Sequence, residues 1–410
     1  MAEAALERSS AGALLSEALV SEALVSEAPG SEALASGALA SARRLVVKIG
    51  SALIVDGAGD IRQGWLESVA DDIARLRRGG VEVVIVTSGA VAIGRRALGL
   101  AGPRGLRIEE KQAAAAVGQV RLAEAYRMAL ARHGIVAAQV LVTPDDTEAR
   151  KRHLNARATL TTLLALGAVP VINENDTVAT AELRFGDNDR LAARVAQMAS
   201  ADTLVLLSDI DGLYTADPRC DPAARHIPEV LDLTPEIEAM AGEARPGISS
   251  GGMVTKLAAA RIAMAAGCRM AITDGRPAHP LSALADGGRA TWFVASAEPL
   301  TARKRWIAAH LAVVGQVSVD AGAARALASG KSLLPAGVTL VSGNFERGDL
   351  IGVQGPDGRE IARGLSNYSG DEARALAGRH SGLSEAILGY RGREELIHRD
   401  DLVVTGGALA

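Results

Sequence analysis

From Leu45 onward the chain alternates two patterns: short, almost wholly apolar runs, and longer stretches in which apolar residues return every three or four positions. The short runs Leu45–Ile49, Val81–Val86, Ile135–Val142, Val169–Ile172 and Asp202–Leu207 are rich in Val, Ile and Leu and end at Gly or at an abrupt polar switch, which predicts buried strands. The longer stretches Trp65–Arg78, Glu109–Arg132, Asn155–Leu166 and Met253–Ala266 predict helices. In the first of them Leu66, Val69, Ile73 and Leu76 share one face, and Gly79–Gly80 stops the helix. Strand, helix and strand repeat with crossovers long enough for parallel pairing, so the expectation is an α/β fold around a mainly parallel sheet.

The pattern changes twice. Residues 1–41 are a low-complexity leader in which SEALV at 16–20 repeats at 21–25. A five-residue period advances about 140° per repeat on a helix, so Leu19, Leu24 and Leu34 would spiral around it without forming a stripe. The expectation is a disordered extension, or an artefact of the chosen start codon. Beyond the basic cluster Arg303, Lys304 and Arg305, short strands (Gln316–Val319, Val338–Val341, Leu350–Val353) with Gly turns surround a single helix, Ala321–Ala328. The resulting domain map is a catalytic body at 42–300, a linker at 301–314, a small mostly β domain at 315–392 and a loose tail from 393 to 410.

Composition narrows the class. At 410 residues the chain has room for two or three domains, and its 2% aromatic content suits layered α/β packing better than a base-stacking surface. The net charge of −4 argues against a coat for nucleic acid or an anionic membrane; the leader's six glutamates and one arginine account for −5 of it. The small C-terminal domain holds eight basic and eight acidic residues between Gly315 and Arg391, which is no footprint for RNA. No apolar run reaches the ~18 residues of a membrane span. Cys220 and Cys268 form no CxxC pair, making a reducing cytoplasm the default, and the seven histidines lack metal-ligand spacing.

Polar chemistry concentrates where predicted strands end. Lys48 interrupts the first strand, an expensive position unless its ammonium reaches water or an anion. Thr87–Ala90 forms a small-residue turn suited to presenting backbone N–H groups, or a plain tight turn. Asn173, Glu174, Asn175 and Asp176 follow the fourth strand. Gly186, Asp187, Asn188 and Asp189 open a helical segment, where helix capping accounts equally well for any one of them. Ser208 to Gly212 follow the fifth strand. The run Gly247–Lys256, GISSGGMVTK, leads glycines into a helix and carries the strongest nucleotide signal, because freed backbone N–H groups and the helix dipole favour phosphate. It is not a P-loop: GxxxxGK[ST] and GxGxxG are both absent.

LVVKIGS at 45–51, VTSGA at 86–90, VPVINEND at 169–176, FGDND at 185–189, GLYTADP at 212–218 and SGGMVTK at 250–256 stand in the order found in the glutamate 5-kinases of the amino acid kinase family, which the chain resembles over about residues 44–392. The resemblance implies a three-layer sandwich followed by a PUA-like domain (SLLPAGV at 332–338, GNFERGD at 343–349). It implies ATP-dependent phosphorylation of the L-glutamate γ-carboxylate, with Mg²⁺, in the cytoplasm. It also implies feedback by proline, a homo-oligomer and glutamyl phosphate reductase as a candidate partner, and no partner in membranes or nucleic acid. By resemblance Lys48, Ser208, Asp209 and the loop Ser250, Gly251, Gly252, Met253, Val254, Thr255 and Lys256 meet ATP. Ser88, Asp176, Asn188 and Asp187 match glutamate-contacting or neighbouring positions, and Lys48, Lys256 and Asp189 the catalytic ones; no residue is assigned to a metal. Two positions depart from the pattern: Ala52 replaces a common hydroxyl residue, and Arg184 a common lysine. A competing expectation is an RNA-binding or regulatory protein that uses the PUA-like domain and carries an inert kinase body.

Overall fold

The computed structural model describes residues 39, 41–100, 105–178, 188–242, 252–299, 301, 302, 304 and 312–405. The leader up to residue 38, Arg184, Asp187, Ser250, Gly251, Arg303, Arg305 and the end of the tail from 406 lie outside the described residues.

The catalytic body contains strands β1 (Arg44–Ile49), β2 (Glu82–Val86), β3 (Ala137–Val142), β4 (Val169–Glu174), β5 (Thr203–Ser208), β6 (Leu213–Tyr214), β7 (His226–Ile227), β8 (Glu229–Val230), β9 (Arg269–Asp274) and β10 (Ala290–Phe293). Its principal helices are α1 (Gln63–Arg78), α2 (Ala90–Ala97), α3 (Ile108–Ala131), α4 (Arg150–Ala165), α5 (Asn188–Ala199) and α6 (Met253–Ala265). Eight strands form one sheet in the order β3-β4-β2-β1-β5-β9-β10-β8. Pairing is parallel from β3 through β9, and β10 runs antiparallel to β9. The sheet is a middle layer because its strands are apolar on both faces. Leu45, Val47 and Ile49 of β1 join Leu66 and Ile73 of α1 and Tyr126 and Leu130 of α3 in one core. Val46, on the opposite face, joins Leu191 and Val195 of α5 and Leu257 and Ala260 of α6 in another. Lys48 shares the face of Val46, since side chains alternate along a strand, and so it projects toward α5 and α6.

Two sequence expectations need correction here. First, β4 does not stop at Ile172; Asn173 and Glu174 stay in the ladder opposite Leu141 and Val142 and are buried. A strand tolerates such residues when their polar atoms find partners, and Asn173 Nδ2 donates to Gln119 Oε1 at 2.9 Å. Second, the segment after Arg393 is not loose as far as residue 405. It supplies β15 (Leu402–Val404), the last member of a second sheet ordered β12-β11-β13-β14-β15, with β11 Gly315–Val319, β12 Val338–Gly343, β13 Leu350–Gln354 and β14 Glu360–Leu365. β15 covers an edge of β14 that would otherwise present unpaired backbone groups, and Leu396, Ile397 and Leu402 bury in a third core, that of the C-terminal domain. Helix Ala321–Ala328 forms as expected, its first turn capped by Asp320, which accepts from the Ala323 N–H at 2.7 Å.

The second sheet touches the catalytic body at α4. Leu154, with Val313 and Val403, packs against the buried Leu350 and Leu365, and both carboxylate oxygens of buried Asp401 accept from Arg157 Nη1, at 2.8 and 2.9 Å.

Candidate active site

The carboxyl ends of β4, β2, β1, β5 and β9 lie along one edge of the large sheet. The chain leaves β1 toward β2 on one side and later returns to β5 on the other, so a crevice opens between them where α/β sheets accept ligands. Lys48, the fifth residue of β1, stands opposite Val86 of β2 and Leu206 of β5, close to that edge.

Three of the residues expected from the sequence to be catalytic meet there. Lys48 Nζ lies 2.6 Å from Asp189 Oδ1, and Lys256 Nζ lies 3.2 Å from Asp189 Oδ2. Thr255 Oγ1 also donates to Asp189 Oδ2, at 3.3 Å. The three arrive from different elements: β1, the first turn of α5 and the first turn of α6. Asp189 is 0% exposed, Lys48 7% and Lys256 5%. One carboxylate facing two buried ammonium groups leaves an excess positive charge away from water. That is costly until an anion supplies the missing counter-charge. The carboxylate holds the two lysines apart and aimed, while their surplus charge defines what the crevice will accept.

Beside this cluster lies a set of amides and hydroxyls. Asn188 Nδ2 donates to Ser88 Oγ at 2.6 Å, to the Thr87 carbonyl at 2.5 Å and to Asn173 Oδ1 at 3.1 Å. The first residue of α5 thus ties the turn after β2 to the end of β4. Gly89 permits that turn: it caps α2 at φ 108°, a left-handed conformation that disfavours side chains. Asp176 follows β4 in a partly exposed turn. Asn173 and Gln119 complete the network, although the sequence signals had not singled out Gln119.

On the β5 side, Ser208 is buried and its Oγ donates to Asp209 Oδ1 at 3.2 Å; Asp209 itself is exposed. Gly252 caps α6, with Met253, Val254 and Thr255 in its first turn. Gly212 closes the loop after β5 at φ 154°, and a Cβ there would stand 2.4 Å from His226 Nε2 and 2.6 Å from Thr291 Oγ1. Burial lowers the pKa of the His226 imidazole from its ordinary value. Ala52 is exposed in the short helix Ser51–Ile54. Among the described residues no group of three His, Cys, Asp or Glu side chains could hold a metal ion.

Comparison with known proteins identifies the family. The model of the amino acid kinase family matches residues 43–274. A protein from Paramagnetospirillum magneticum is 66% identical over 367 residues, covering 89% of this chain and 99% of the relative. The chain belongs to the amino acid kinase family. That relative is named glutamate 5-kinase, as are one from Paracoccus denitrificans, 61% identical over 88% of this chain and 97% of its own, and one from Rhodospirillum rubrum, 62% identical over 88% and 96%. The PUA domain model matches residues 315–388, which include β11 to β14 of the second sheet but not β15. No described helix is long and apolar enough to cross a membrane.

Proposed function

We propose that the protein transfers the γ-phosphoryl group of ATP to the γ-carboxylate of L-glutamate, giving L-glutamyl 5-phosphate for proline biosynthesis. The observation that carries this reading is the buried pair Lys48 and Lys256 on Asp189, the residue that follows Asn188, whose amide donates to Ser88 Oγ. The names and full-length coverage of the relatives support the substrate.

A γ-carboxylate is already anionic at neutral pH, so its attack on phosphorus requires no base. The work that remains is control of charge and position. Nucleophile and triphosphate repel one another, and the two lysines offset that repulsion and the charge on the transferring oxygens. Asp189 keeps both ammonium groups oriented before the substrates arrive, so little reorganisation accompanies transfer. Backbone N–H groups at the start of α6 lie where the helix dipole favours phosphate, and Ser208 and Asp209 border the same edge. Asp176 reads the α-ammonium of glutamate, with Asn188 and Ser88 contributing polar contacts. By the family resemblance Asp187 joins the glutamate-binding residues, and Ser250 and Gly251 the ATP-binding ones. Asp189 is engaged by the two lysines, so Mg²⁺ would be carried by ATP and would offset part of the triphosphate charge.

Feedback by proline, assembly into a homo-oligomer, cytoplasmic location and hand-over to glutamyl phosphate reductase belong to the same proposal. The residues divide into a leader, a kinase body at 42–300, a linker at 301–314 and the PUA domain, whose last strand extends it to 404. The test is Mg-ATP with L-glutamate, trapping the acyl phosphate with hydroxylamine beside aspartate and acetylglutamate controls. Glutamate-dependent hydroxamate with little from the other acids is expected; none from any acid would overturn the reading.

A further inference from the structure

Gln119 lies in the middle of α3 and is 8% exposed. Its Oε1 accepts from Asn173 Nδ2 at 2.9 Å, and its Nε2 is buried without a hydrogen-bond partner among the described residues. An interior position for an amide with only half its capacity met is expensive, because the unpaired N–H has given up water without a replacement. What the remaining half accomplishes is set by the next contacts. With its amide nitrogen committed to Gln119, Asn173 turns its Oδ1 toward Asn188 Nδ2 and the Glu174 N–H, at 3.1 and 2.9 Å. Asn188 in turn donates to Ser88 Oγ at 2.6 Å.

Seven residues on, two helical turns along the same face, fully buried Tyr126 places its hydroxyl 2.9 Å from Thr87 Oγ1. Thr87 lends its carbonyl to Asn188 as well. One face of α3 therefore braces both sides of the Asn188 amide, through Asn173 at the end of β4 and through Thr87 after β2.

We propose that Gln119 is a positioning residue for the acidic substrate: by fixing the amide of Asn173 it fixes Asn188 against Ser88, and so sets affinity for glutamate without touching ATP or the reacting oxygens. This rests on the reaction proposed above. Gln119→Met keeps length and volume and removes the acceptor. The expected result is a KM for glutamate raised about tenfold, the worth of one buried hydrogen bond of about 1.4 kcal/mol, with kcat and the KM for ATP within about twofold. Because Gln119 acts through Asn188, the double variant Gln119→Met, Asn188→Ala is expected to bind glutamate no more weakly than Asn188→Ala alone. Gln119→Glu, which keeps an oxygen opposite Asn173, is expected to restore most of the affinity and keeps the idea testable if the Met variant does not fold. An unchanged glutamate KM in Gln119→Met, additive penalties in the double variant, or a tenfold loss in a folded Gln119→Glu would each overturn the assignment. A wild-type protein without glutamate-dependent turnover would overturn the reaction itself, whereas these outcomes in an active enzyme overturn only the role of Gln119.

Discussion

Gly94 of α2 and Gly118 of α3 meet backbone to backbone. A Cβ on Gly94 would stand 1.7 Å from the Ala114 carbonyl oxygen, and one on Gly118 would stand 1.7 Å from that of Ala90. The contact matters to the site because each helix carries part of it. α2 begins directly after the Ser88–Gly89 turn, and Gln119 is the residue next to Gly118.

Gly94→Ala is therefore expected to force the two helices apart. Backbone atoms cannot move aside as a flexible side chain would, so the cost belongs at the upper end for overpacking, about 3 kcal/mol. A fall in the midpoint of urea unfolding at constant slope measures it. A midpoint unchanged from wild type would mean that the helices can separate freely.

How much of the site is legible in the sequence depends on the kind of signal. Lys48 and Lys256 stand out because a cation in an apolar strand and a glycine loop before a lysine are each anomalous in one dimension, whereas Asp189, which helix capping explains as well, is singled out only by the family resemblance. Their meeting depends on β1 lying between β2 and β5, which local pattern does not specify. Gln119 carried no such anomaly: in an Ala-rich helix a single glutamine reads as solvated surface, and only the packing of α3 under β4 buries it. The end of β4 was misjudged because Asn173 and Glu174 look like a loop until their partners are known. β9 was unmarked because its apolar centre, Met270 to Ile272, is brief and framed by Arg269 and Thr273. The tail was misread because charged Arg393, Glu394 and Glu395 precede the few apolar residues that bury.

Removing either buried lysine tests the charge argument directly. Lys256→Ala is expected to lower kcat at least 100-fold, comparable with the loss of one electrostatic donor to a transition state. Rapid-quench measurement of phosphoryl transfer under saturating substrates separates this from slower product release. Transfer at the wild-type rate would remove Lys256 from the chemistry.

Asp176→Asn addresses recognition, not transfer. The amide keeps the shape but loses the charge that would meet the α-ammonium, so the KM for glutamate should rise roughly 10- to 100-fold, as for a charge-assisted hydrogen bond of about 1.5–3 kcal/mol. kcat should change little. Equal loss of kcat with unchanged KM would place Asp176 at the reacting groups instead.

His226 gives the fold an acid sensitivity. Burial lowers its pKa below the ordinary 6.5, with Asp211 opposing and Arg289 adding to the effect. As pH falls through 6.5 the unfolded chain takes up a proton that the folded one still refuses. Unfolding is therefore favoured progressively until the lowered folded value is passed, and the fold recovers nothing below it. Melting curves between pH 8 and 5 should decline more steeply for the wild type than for His226→Gln. Parallel declines would mean that other groups govern the acid limb.

The contact between Arg157 and Asp401 joins α4 of the kinase body to the turn that leads into the last strand of the PUA domain. The Asp401 carboxylate is 5% exposed, and both of its oxygens accept from Arg157 Nη1. Arg157→Ala would leave that charge buried beside the packed Leu154, Leu350 and Leu365. Breaking such a pair from one side costs about 3–5 kcal/mol, far more than the intact pair contributes. The double variant Arg157→Leu, Asp401→Leu removes both charges and should recover most of the loss. Thermal unfolding of the two variants decides the matter: a strongly lowered midpoint in the single variant and a near-normal one in the double are expected. A single variant as stable as wild type would mean that β15 leaves α4 readily, restoring the loose tail that the sequence suggested.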